Sequence, residues 1–88
     1  MLKLKKSHKN KDEWIVYNPH NFKLHTHCYS KRVALVIKSN VEKQRIPKSN
    51  NIQMIISHIR CTNNRKYKKE LLNKLQTLEK EKGYKYYK

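Results

Sequence analysis

Two tetrads could do chemistry: His25-Thr26-His27-Cys28 and His58-Ile59-Arg60-Cys61. Both read H-x-x-C, and they hold the two cysteines of the chain. Two thiolates and two neutral imidazoles would complete a zinc tetrahedron. On a helix, His58 and Cys61 at i, i+3 share a face. At a strand end, His25 and Cys28 point to opposite faces, so a bend is needed between them. His25 and His27, at i, i+2, share a strand face and give a second set with His58 and Cys61. Against zinc, metal knuckles are built with Gly or Cys-x-x-Cys, and neither is present. Cysteine is often a small buried apolar residue. Cys28 continues the alternation of Leu24 into a core, and His58 beside an apolar helix face reads as a hydrogen-bonded packing residue. No metal or cofactor is therefore assigned.

Catalytic chemistry finds little to work with. The six carboxylates are scattered, and no Gly-rich phosphate loop occurs. His25 and His27, with Tyr29 or Lys31, are the one grouping suited to metal-independent nuclease chemistry. The expectation is a non-catalytic protein.

Charge is the dominant signal. Lys and Arg number 22 against 6 Asp and Glu, a formal +16 in 88 residues. AT-rich coding favours Lys over Arg but does not remove acids, whose codons are also compatible with AT richness. A compact body so charged repels itself, and a polyanion that binds the folded form stabilises it. Nucleic acid, DNA or RNA, is the expected partner. The alternative is an accessory or inhibitor protein of phage or plasmid type that docks a cationic face on an acidic host protein or nucleoprotein.

The chain carries candidate phosphate contacts at three expected helix starts. Ser30 precedes Lys31 and Arg32, Lys48 precedes Ser49, and Asn64 precedes Arg65 and Lys66. Acids are normally favoured in the first turn, where the helix dipole is positive; cations there cost a few tenths of a kcal/mol each, roughly. An anion would remove that cost, because free N–H groups beside a cation hold phosphate well. If Leu71, Leu75 and Leu78 face the core, then Lys66, Lys69, Asn73, Gln76 and Lys80 share the opposite side of the third helix. Lysine can hold phosphates there, and Asn and Gln can read base edges. The nine candidate contacts are thus Lys31, Arg32, Lys48, Arg65, Lys66, Lys69, Asn73, Gln76 and Lys80.

These residues need elements to position them. The expected class is α+β, mostly α: an N-terminal β-hairpin followed by three short helices. Trp14, Val16, Phe22 and Leu24 would share the hairpin's inner face around a turn at 18–21. Val33, Ile37 and Val41 recur at helical spacing after a Ser30 cap. The rival reading makes Val33–Ile37 a central strand. Ile52, Ile55, Ile56 and Ile59 mark the second helix. Tyr67, Leu71, Leu75 and Leu78 mark the third, closed by Gly83. The second and third helices form a candidate helix-turn-helix pair. Residues 1–12 read as a flexible basic arm, 13–83 as one small globular domain, and 84–88 as a basic aromatic tail whose tyrosines could stack on unpaired bases. The basic start is followed by no apolar run, and Val33–Ile37 is too short to span a bilayer, so a cytoplasmic protein with no membrane partner is expected.

Overall fold

Leu2 and Leu4 alternate with Lys3 and Lys5, the period of a strand with one buried face. The fold, described for residues 2–83 by a computed structural model, realises that pattern. Strand β1 (Lys3–Lys6) pairs antiparallel with β2 (Trp14–Asn18), and β2 pairs antiparallel with β3 (Asn21–Cys28), in the order β1-β2-β3. Helices α1 (Lys31–Lys43), α2 (Ile52–Cys61) and α3 (Arg65–Lys82) follow. The α+β, mostly helical class is as expected from the sequence. Residues 84–88, read as the aromatic tail, lie outside the described residues.

The flexible-arm reading of residues 1–12 is corrected over residues 2–6. Leu2 is 4 % exposed and belongs to the core, with Leu4 packed against it. The Leu2 N–H donates to Glu42 Oε2 at 2.9 Å, tying the strand to α1. Burial of that carboxyl works against its charge, but the hydrogen bonds from Lys38 and Leu2 and the Lys38 charge outweigh it, and the acid is held below its ordinary range.

Register assigns the faces. Residues directly opposite in adjacent strands point to the same side. Leu4, Val16 and Thr26 form one inward row, and Lys6, Trp14 and Cys28 the next. Val16, Thr26 and Cys28 are buried under α1 and α2. Phe22 departs from the inward face expected for it: it is 60 % exposed and stacks on Tyr17. The cause is a register break. Between the pairs Tyr17–His25 and Asn18–Asn21, β2 advances one residue while β3 advances four. The alternation that holds Leu24 half-buried therefore does not extend to Phe22.

Val33–Ile37 lies within α1, which settles the helix-or-strand question. Ala34, Ile37 and Val41 are buried, Val33 is half-buried, and Leu35 and Val36 face outward. The helix ends because Gln44 turns left-handed at φ 56°, and the Arg45 N–H closes back on the Asn40 carbonyl at 2.8 Å. Helix α2 buries most of its surface, Ile52, Ile55, Ile56, Ile59, His58 and Cys61 included, and leaves a polar strip of Gln53, Ser57 and Arg60 open. That fits its place between the sheet on one side and α3 on the other. Helix α3 packs on α2, not on the sheet, through Tyr67, Leu71, Leu75 and Leu78. The loop between α1 and α2 straps across it: Tyr67 donates to the Arg45 carbonyl at 2.6 Å, and Lys74 donates to the Pro47 carbonyl. Gly83 ends α3 at φ 74°. No helix among the described residues is long and apolar enough to cross a membrane.

Candidate nucleic-acid interface

All nine candidate contacts face solvent. Five of them form a line. Lys66, Lys69, Asn73, Gln76 and Lys80 lie at i, i+3, i+7, i+10 and i+14 on α3, opposite the buried stripe. At 1.5 Å rise per residue the line runs about 21 Å. Its charge is uneven. Arg65, Lys66, Lys68 and Lys69 crowd the first five residues of the helix with only Glu70 behind them, whereas Lys80 stands between Glu79 and Glu81. Field strength is therefore greatest at the N-terminal end. Lys74 flanks the buried stripe instead, and donates to the Pro47 carbonyl.

The helix starts differ in what their caps leave open. Ser30 Oγ accepts from the Val33 N–H at 3.2 Å, so the Lys31 and Arg32 amides have no intrahelical acceptor. Asn51 Oδ1 accepts from both Gln53 and Met54, at 2.9 and 3.3 Å, which leaves only Ile52 at that end. Asn64 Oδ1 accepts from Tyr67 at 3.0 Å, leaving the Arg65 and Lys66 amides. None of the three first turns contains an acid.

The three starts do not converge. Those of α1 and α2 open on one cleft of about 330 Å³, lined by Tyr29, Val33, Asn51, Gln53 and Arg60 among others. The start of α3 opens instead on a hollow of about 200 Å³ beside the C-terminal end of α1, with Gln44, Thr62 and Asn64 on its wall. Lys48 projects from the α1–α2 loop, and Lys31 lies over the Trp14 ring at 5.4 Å. Lys6 reaches the same ring at 6.0 Å, so two cations sit near the indole. Arg65, Lys66 and Lys69 are thus brought together with Asn73 and Gln76, while Lys31, Arg32 and Lys48 belong to a different part of the surface.

The histidines and cysteines take other roles. His58 is fully buried; its Nδ1–H donates to the Met54 carbonyl at 2.6 Å, and its Nε2 accepts from the Asn40 amide at 3.1 Å. Both ring nitrogens are occupied, and burial, opposed in part by the Met54 bond and reinforced by the Lys74 charge, holds its pKa below the ordinary value. Burial pushes the Cys28 thiol up to about 11, with Glu13 adding to it, and the Cys61 thiol up to about 12, with Cys28 adding to it. The Cys61 thiol donates to the Val16 carbonyl at 3.8 Å. These are protonated packing groups. No cluster of three or more His, Cys, Asp or Glu suited to a metal ion occurs among the described residues. His25 and His27 do share a face, with rings edge to face at 5.4 Å. His25 Nδ1 is bonded to the Phe22 carbonyl at 2.7 Å, and His27 Nδ1 lies 3.4 Å from Glu13.

Sequence reasoning missed the outward face of the sheet. Lys3, Tyr17 and His25 form one outward row, and Lys5, Ile15 and His27 the next. The Leu2–Lys5 alternation was a signal for the first strand, obscured by the surrounding charge. Comparison of the chain with protein-family models, curated proteins and solved structures finds no match.

Proposed function

We propose that this protein is a non-catalytic nucleic-acid-binding protein that engages duplex DNA or structured RNA through the N-terminal half of α3. Arg65, Lys66 and Lys69 contact phosphates, aided by the two uncapped amides at the start of the helix. Asn73 and Gln76 lie on the same line toward the base edges. The observation that carries this reading is the pairing of a formal +16 charge with a solvent-facing line of cations and amides on α3. An acid-poor surface of this kind gains most from a ligand that releases counterions on binding.

Immobilised protein mixed with random-sequence duplex DNA and with cell lysate tests it. Retention of the duplex at moderate salt is expected. Retention of an acidic protein from the lysate, with the duplex passing through even in dilute buffer, would replace this reading with the docking alternative.

A further inference from the structure

We propose that the outward face of the sheet is a second nucleic-acid surface, one that takes the unpaired bases of single-stranded RNA. This rests on the nucleic-acid reading and adds to it a ligand class and a separate site. Helices α1 and α2 contact the other face of the sheet, and α3 packs on α2 a layer further away, so this surface is distinct from the line on α3.

The chemistry is a stacking platform with phosphate anchors. Tyr17 and Phe22 lie parallel, with centroids 5.2 Å apart and planes 6° apart. Phe22 is 60 % exposed, an unusual position for a large apolar ring in a chain with one phenylalanine. The register break at Tyr17–Asn18 is what turns it outward. Lys5 Nζ stands 5.3 Å from both ring centroids. Lys3 flanks Tyr17 on the same side, and His25 flanks it on the other. Neither outward row contains an acid; Glu13 touches only the far end, at His27. Bases stack on aromatic faces without regard to sequence, and cations beside the rings bind the linking phosphates. Unpaired bases are the ordinary state of RNA loops and ends, the elements that proteins read in RNA. A duplex offers this face only its backbone, because its bases are already stacked.

The test uses the full chain with three labelled probes: an unstructured uridine-rich RNA decamer, its deoxy counterpart, and a DNA duplex. For Phe22→Ala, RNA affinity is expected to fall about tenfold, within the range of one lost base–aromatic stack. Duplex affinity stays unchanged, and Phe22→Tyr restores RNA binding. For Lys5→Ala, which leaves the stack in place, the salt slope on RNA becomes shallower by about 0.7. Circular dichroism of each variant establishes that it is folded. Equal RNA binding by Phe22→Ala and wild type overturns the proposal, as does an equal loss on the duplex or a preference of the wild type for the deoxy strand. If the wild type binds the duplex but Phe22→Ala has no effect on RNA, this surface fails alone. If the wild type binds no probe, the nucleic-acid reading fails with it.

Discussion

Removing Lys66 and Lys69 together isolates the contribution of α3. Both side chains are solvent-facing and neither takes part in the packing of the helix on α2. The double variant Lys66→Ala/Lys69→Ala therefore keeps its fold. In the proposed mode they supply, with Arg65, three phosphate contacts at the end of the helix where four cations precede a single acid, Glu70, whereas Lys80 stands between two acids. At about 0.9 per neutralised phosphate, three contacts give a slope of log affinity on log salt near −2.7 for duplex DNA. Raising salt fourfold, from about 50 to about 200 mM, should then weaken wild-type binding by about 40-fold. The double variant retains one contact, a slope near −0.9, and a loss of only about 3.5-fold over the same range. Fluorescence anisotropy with a labelled duplex measures both. The control is Lys9→Ala/Lys11→Ala, which removes the same formal charge from the β1–β2 connection. If that control flattens the slope as much as the α3 variant does, binding follows net charge alone and the assignment to α3 is refuted.

Three further outcomes test the fold beneath the site. Ile55 is fully buried in the central helix, so Ile55→Ala should cost about 2–5 kcal/mol in urea unfolding; a loss under about 1 kcal/mol would mean the core is not packed as described. Gln44 is a non-glycine residue held at positive φ, and Gln44→Gly should stabilise the fold by about 0.5–1 kcal/mol, the left-handed penalty less the entropy of glycine. His58 is held neutral below its ordinary value of 6.5, so the unfolded chain takes up its proton first as pH falls. Its contribution to stability should be complete above pH 6.5 and be lost progressively below it, and His58→Gln should remove that part of the slope between pH 7.5 and 5. An unchanged slope would place the imidazole in solvent.

The helical half of the molecule was legible because its signals are local. Ser30, Asn64 and Gly83 mark helix ends through their own backbone chemistry, and the isoleucines of α2 and leucines of α3 recur at a period that needs no partner to interpret. The line on α3 followed directly, since the buried stripe defines the opposite face. The sheet was harder because strand faces depend on register, and register is set across the chain. Leu4 gains its meaning only from Val16 in the neighbouring strand, and Leu2 from Glu42 in α1. Phe22 reads as inward only when strict alternation is extended through a turn where β3 carries three more residues than β2. The outward rows, and with them the Tyr17–Phe22 stack, could not be assembled without that pairing. His58 was legible as a packing residue, but its partner Asn40 was not, since a contact across eighteen positions leaves no local trace.

Titration of the wild-type protein against a labelled duplex at several salt concentrations asks whether phosphate complements this surface. A dissociation constant that rises steeply and log-linearly with salt is expected. No detectable complex in dilute buffer, from protein shown to be folded by circular dichroism, would contradict it.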